Sequence, residues 1–466
     1  MERTRGSVAT VEDVFRVADL FALVLSPSNM PSRSAVRLAA TSTATRALVQ
    51  EVLTHFDLRS TKITDLAPVS SLANLTKLNL CRTKVTDLAP LSSLVNLTHL
   101  YLAFTKVTDL APLSSLTNLT ELCLMSAEVI DLAPLSSLVN LTELDLSNTK
   151  VRNIAPLSSL KKLTQLDLSK TWHWQLPNIA PLSSLVNLTQ LDLAETNVSD
   201  IAPLSSLVNL TQLDLAETSV SDIAPLSSLV HLTRLDLRET YVTNLAPLSS
   251  LVKLTHLELA KTDVTDIAPL SSLVKLAQLG LFRTIVRDLA PLSSLVNLSG
   301  LNLGRNNDLP GGPINIAPLS SLVNLTELNL CKTRVENIEP LSKLVNLTHL
   351  SLSKTGVSDL APLLSLVDLI ELELADNRNV FDIAPLSKLV NLTGLDLSTT
   401  DVSDLAPLSS LEHLTKLNLC RTYVTDVWPL SSLKNLVYLD LSDTGVTEMH
   451  IAPLLSSLEW LEVYHV

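Results

Sequence analysis

Acidic side chains recur along this chain at a fixed interval of 22 residues: Asp65, Asp87 and Asp109, and later Asp200 and Asp222. Carboxylates held in a column could do general acid–base work. Serines stand in pairs in nearly every interval, and His55, His99, His256 and His349 share a register of their own, so candidate nucleophiles and bases are both present. The pattern argues against each. The acidic column holds twelve Asp, five Asn, including Asn153 and Asn244, and one His, His450. Both Asp and Asn cap helix starts, whereas only Asp titrates, so the column reads as a set of caps. A nucleophile would not be copied to so many addresses, and intervening repeats isolate the histidines from one another. No glycine-rich phosphate loop, H-E-x-x-H or Cys/His ligand cluster is present, and the nine glycines are scattered. The sequence therefore predicts no catalytic residues, no metal site, no cofactor and no enzyme activity.

The elements that would position these residues follow from the repetition itself. "LTQLDLAETNVSDIAPLSSLVN", starting at Leu188, is followed at once by "LTQLDLAETSVSDIAPLSSLVH". Eighteen prolines, from Pro68 through Pro90 and Pro112 to Pro453, anchor the pattern LxxLxLxxTxVxDLAPLSSLVN, and a fixed period in the twenties signals a solenoid. LxxLxLxx alternates with period two, as a short strand does. DLAPLSSL, with its cap, early proline and i, i+3 apolar spacing, predicts a short helical turn. Seven apolar residues per unit, in the second repeat Leu75, Leu78, Leu80, Val85, Leu88, Leu91 and Leu94, cannot be buried by 22 residues alone. Neighbouring repeats must stack to cover them. The expected domains are a helical segment, residues 1–52, and a repeat region, residues 53–466, of eighteen repeats and a closing strand. A single right-handed coil of about nineteen strands at ~4.8 Å each would run ~85 to 90 Å.

These residues resemble leucine-rich repeat proteins, particularly the 22-residue type of bacterial internalins and of a protein phosphatase regulatory subunit. The resemblance covers roughly residues 53–466. It implies an α/β solenoid, a right-handed superhelix with a parallel concave β-sheet and short helical or irregular convex segments, and no particular function. The chain departs from the family at the ninth position. There the usual Asn is Thr in fifteen of eighteen repeats, Ala127 in one, and Asn only at Asn306 and Asn377. A hydroxyl offers fewer bonding sites than an amide on a shorter arm, so this ladder should satisfy fewer backbone groups.

Composition narrows the partners. Net charge is -13, from 34 basic and 47 acidic residues, which disfavours nucleic acid. No apolar run approaches the ~18 residues of a membrane span, and Arg16 and Asp19 interrupt the one apolar stretch near the N-terminus that could resemble a secretory signal. Cys81, Cys123, Cys331 and Cys420 lie at least two repeats apart, near 10 Å at ~4.8 Å per strand, too far for disulfides. A cytoplasmic monomer that avoids membranes is expected. Eleven N-x-S/T sequons, nine of them "NLT", are taken as by-products of the repeat, because glycans at ~5 Å spacing would collide.

Binding residues are sought where the chain breaks its pattern. "KTWHWQLPNIAP" places Trp172 and Trp174 in a lengthened loop, either as anchors for a partner or as a cover for Leu176 and the core. The fifth position is acidic in six consecutive repeats, at Asp145, Asp167, Asp192, Asp214, Asp236 and Glu258, and the eighth adds Glu195, Glu217 and Glu239 before turning basic at Lys261, Arg283, Arg305, Lys332 and Lys354. Tandem duplication could leave such a strip without any role. Read as function, Asp192, Glu195, Asp214, Glu217, Asp236, Glu239 and Glu258 would bind a basic protein surface. Residues 1–52 carry six Arg and no Lys and read as two helices, an end cap for the first repeat. "LFALVLSPSNMPSRSAVRLAATSTATRALV" also resembles an F-box, which implies a Skp-type adaptor and a ubiquitin-ligase substrate receptor. It lacks the late aromatic and the Leu-Pro opening of that motif. The expected function is a non-enzymatic protein-binding scaffold; the alternatives are the F-box receptor and an internalin-like surface adhesin.

Overall fold

A computed structural model describes residues 54–171, 178–306, 313–455 and 462–464. The chain divides into two compact units, Met1–Ser219 and Val220–Val466. Among the described residues the first holds eight strands, β1 (His55–Asp57) to β8 (Gln212–Asp214), and the second eleven, β9 (Arg234–Asp236) to β19 (Glu462–Tyr464). Within each unit consecutive strands pair in parallel with one repeat as the register, His55 opposite Lys77 in the first and His256 opposite Gln278 in the second. Parallel neighbours need a crossover, and the rest of each repeat supplies it on the far side of the sheet; such crossovers are right-handed. The architecture is the expected leucine-rich solenoid fold, a parallel sheet backed by short turns.

Each strand is three residues long, and from β2 to β18 the central residue is a buried leucine, as at Lys77–Asn79, where the flanks are partly open. The return segment is a 3₁₀ turn. Most of these turns read Ala-Pro-Leu-Ser-Ser, as at Ala89–Ser93, where Leu91 N–H donates to the Leu88 carbonyl at 2.9 Å. Proline fits the first turn, which leaves its missing N–H unneeded. All seven apolar residues of the second repeat are at most 1% exposed. In the second unit one α-helix, α1 (Glu448–Leu455), replaces the 3₁₀ turn at the repeat whose cap position is His450.

Three polar ladders tie the turns. Every described Asp or Asn of the presumed cap column accepts the N–H two residues on, at 2.8 to 3.0 Å, for instance Asp87 from Ala89 and Asn244 from Ala246. The capping assignment holds, and it explains why Asp and Asn interchange. In most serine pairs the first hydroxyl donates within its own turn and the second reaches the preceding repeat, as Ser92 does to Ala89 and Ser115 to Ser92. Nine of the eleven sequon asparagines donate Nδ2 to the carbonyl ending the previous repeat's turn, as Asn118 does to Val95 at 2.9 Å. That nitrogen is the one a glycan would need.

The ninth-position threonines are shorter in reach, as expected. Thr83 and Thr240 donate Oγ1 only to the carbonyl three residues earlier in their own repeat. Asn377 links two repeats: Nδ2 donates to Leu374 and to Leu352 of the preceding repeat, and Oδ1 accepts from Thr355. Amide bridging thus occurs in a repeat of unusual length. The eighth position is left-handed in all eighteen repeats, with φ of 52 to 62° from Ser60 to Asp443, and none of these residues is glycine. An L-residue there costs about 1 kcal/mol or more.

Candidate functional site

The acidic fifth position is more than a charged surface. Asp145 Oδ1 accepts from Ser147 N–H at 2.9 Å and from Ser147 Oγ at 2.6 Å, and Asp192 and Asp214 accept from Ala194 and Ala216 N–H at 2.9 and 2.8 Å. In the second unit Asp236 accepts from the Arg238 backbone and pairs with its guanidinium at 2.7 Å. Asn79, Asn302, Asn329 and Asn418 hold the same place and make the same bond. These side chains fold the end of the strand into the turn that precedes the left-handed residue. Their charge is additional to that task, and Asp167 shows its cost: burial raises its pKa, outweighing the bonds from Ser169.

The eighth-position acids are more open. Glu195 lies 3.7 Å from Lys170, and Glu239 pairs with Lys261 at 2.5 Å. Glu217 is exposed and has no ion pair among the described residues. Glu258 differs from the aspartates before it: its pKa is raised by burial and then by the neighbouring Asp236. Trp172 and Trp174 lie outside the described residues, as does the F-box-like segment.

One feature of the second unit was not visible in sequence. A cavity of about 530 Å³ opens on the sheet between β10 (His256–Glu258) and β15 (Glu371–Glu373), where Gly280 and Gly300 remove side chains from the surface. Glu258 lies across Gly280, its register partner, and Gln278 lies across Gly300; a Cβ on either glycine would sit 1.7 and 1.9 Å from those side-chain oxygens. Glu371 covers Gly394 likewise, at 1.8 Å. Wider grooves follow the asparagine and threonine ladders, whose donors are engaged by backbone carbonyls.

A family model described as leucine-rich repeats in two copies matches residues 52–93, 95–137, 186–228 and 323–365. Each match spans two of the 22-residue units. Those residues are leucine-rich repeats. Among solved structures, a leucine-rich repeat protein of Leptospira interrogans is 25% identical over 91% of this chain and 98% of its own, with a TM-score of 0.62. The functional domain of InlJ of Listeria monocytogenes is 22% identical over 84% of this chain and 73% of its own, with a TM-score of 0.55. An internalin, InlF, of Listeria monocytogenes is 25% identical over 86% and 94%, with a TM-score of 0.46. No curated protein matches the sequence.

The InlJ domain includes a cysteine ladder, whereas the four cysteines in these leucine-rich repeats are free thiols, as the sequence predicted. Burial, with the charge of Asp145 added, pushes the Cys123 thiol up to about 12, and its Sγ donates to Asp145 Oδ2 at 3.3 Å. An unfolded thiol titrates near ~8.5. The folded state therefore favours the neutral form, a contribution present below ~8.5 and lost as pH rises toward 12. At pH 8 native Cys123 should alkylate at least about a hundredfold more slowly than in denaturant, followed by peptide mass spectrometry. Equal rates would contradict this burial. Among the described residues no group of three or more His, Cys, Asp or Glu is placed to hold a metal, and no helix is long and apolar enough to cross a membrane.

Proposed function

We propose that the chain is a non-enzymatic scaffold that holds a protein partner on the strand face of its leucine-rich repeats. One observation carries the reading. The buried and return positions barely change, while the third position, flanking each buried strand leucine, runs through His55, Lys77, Glu121, Gln165, Arg234, Gly300 and Tyr438. Stacking needs uniform core residues and places no such demand on the open flank. Side-chain variety along an open face of a rigid lattice suits recognition.

Within that face the proposed contacts are Asp192, Glu195, Asp214 and Glu217 in the first unit and Asp236, Glu239 and Glu258 in the second, with Trp172 and Trp174 as anchors. The partner surface would be basic. Such an encounter is steered by charge and weakens as salt rises through ~0.15 M, where the screening length is ~8 Å. We place the protein in the cytoplasm as a monomer, in keeping with its free thiols.

The test is affinity purification with the full chain, followed by Asp→Asn and Glu→Gln changes at the seven acidic positions. Asparagine keeps the oxygen that accepts the turn N–H, as Asn79 and Asn302 already do, so charge is removed without the cap. Lysine at Asp192 or Asp214 would remove both. Loss of at least about tenfold in capture, with an unchanged melting temperature, is expected. Capture with unaltered affinity and salt dependence would leave the acids as a solvated surface. The same purification with residues 53–466 examines the F-box alternative: a Skp-type adaptor recovered with the full chain, lost on truncation and lost in Leu23→Asp would favour it, and its absence from a cell that contains one removes it.

A further inference from the structure

We propose that the second unit presents two parallel rows of opposite charge that fit one protein segment bearing basic side chains along one flank and acidic side chains along the other. The inference rests on the reading that the strand face holds a protein partner. The inner row is the cavity beside Gly280 and Gly300, lined by Glu258, Glu327, Glu371 and Glu373. No Lys or Arg occupies the third or fifth position of any strand from β10 (His256–Glu258) to β15 (Glu371–Glu373). Burial and Asp236 already oppose the charged form of Glu258, so a cation seated there would relieve an existing cost.

The outer row is Lys261, Arg283, Arg305, Lys332 and Lys354, one per repeat from β10 to β14 (His349–Ser351), all exposed, and Asp376 ends it in the β15 repeat. Each backbone N–H still pairs with the next repeat, as Arg283 does with Gly304 at 2.8 Å and Lys354 with Ala375 at 2.7 Å, so the row runs along the C-terminal edge of the strands. Lys261 is paired with Glu239. Arg283, Lys332 and Lys354 have no ion pair with a described residue. At ~4.8 Å per strand the row is roughly 19 Å long, the length of about six extended residues.

Charge complementarity selects the occupant. A nucleic acid would suit the outer row and be repelled by the inner one; a uniformly basic protein would meet the reverse. Only a segment with both signs on separate flanks satisfies the two rows together. Such an arrangement also fixes the segment's orientation, since turning it round places like charges opposite one another.

The experiment titrates the full chain at low salt with fluorescent hexaglutamate, hexaarginine and a single-stranded oligonucleotide, read by anisotropy. One variant carries R283E, R305E, K332E and K354E. The chain places Glu at this left-handed position in Glu195, Glu217 and Glu239, so the fold accepts it. The other variant carries E258Q, E327Q, E371Q and E373Q, and melting curves confirm both fold. Measured in a chain that also carries D192N, D214N, D236N, E195Q, E217Q and E239Q, so that hexaarginine reads the cavity alone, the expected result is a crossed loss: the edge variant loses hexaglutamate at least tenfold and keeps hexaarginine, and the cavity variant does the opposite. Failure of either peptide to bind, or loss of both peptides in one variant, overturns the proposal, as does oligonucleotide binding that rivals hexaglutamate. If a captured partner survives both variants, the scaffold reading stands and this placement of the partner falls.

Discussion

Leu257→Ala is expected to lower the unfolding free energy of the second unit by about 3 kcal/mol. Leu257 is 0% exposed and stands in register between Leu235 and Leu279, themselves 2% exposed. Removing its side chain forfeits the transfer of the buried carbons from water and leaves a void that the rigid stack fills poorly, a combined effect of about 2 to 5 kcal/mol. A repeat array is stabilised by nearest neighbours, so the damage should concentrate in the adjoining turns. Urea denaturation gives the magnitude, and hydrogen exchange should show lost protection around residues 235 to 279 first. Val252→Ala is the control: that side chain is 47% exposed, and its truncation should change stability by less than about 1 kcal/mol. A Leu257 effect no larger than the control would refute the packing described here.

Asn377→Ala should cost nearly as much, about 3 kcal/mol, although it removes no sizeable apolar group. The side chain is 3% exposed and its amide serves Leu352 and Leu374 as donor and the Thr355 backbone and hydroxyl as acceptor. Alanine removes the partner of the Thr355 N–H and of the Leu374 carbonyl, while the Thr355 hydroxyl and the Leu352 carbonyl keep their bond to each other, and a buried polar group left unsatisfied costs about 1 to 3 kcal/mol. Asn377→Thr restores only the bond within the repeat, so roughly half the loss should return. Thr400→Ala provides the comparison, since its hydroxyl meets only the Leu397 carbonyl. Equal losses for Asn377→Ala and Thr400→Ala, measured by thermal and urea unfolding, would show that bridging between repeats contributes nothing.

The repeat period made the core and the cap column legible because burial and capping impose the same residue choice at every turn. Asn153 and Asn244 among the aspartates were enough to separate capping from catalysis. The same signal lay at the fifth position, where Asn79, Asn302, Asn329 and Asn418 alternate with Asp, yet its charge drew attention away from the turn it closes. The glycine cavity was harder to see. Gly280, Gly300 and Gly394 look scattered along the chain, and only strand register shows that each faces a long polar side chain from the preceding repeat, Glu258, Gln278 and Glu371. Each third- or fifth-position glycine of this set has its long polar residue one strand register before it. Where a side chain from one repeat occupies the space of the next, the information lies in pairs of positions and not in the consensus.

The left-handed eighth position has a consequence for how such a protein changes over generations. Branched side chains crowd the backbone there, and Thr399 is the sole β-branched residue among the eighteen. Long unbranched ones are admitted regardless of sign, as Glu239 and Lys261 in successive repeats show. Lysine and glutamate codons differ by a single base, so one tolerated mutation at this edge can be a full reversal of charge. Each repeat can therefore switch sign independently of the others, and a lineage can redraw its electrostatic pattern one codon at a time while the leucine lattice stays as it is.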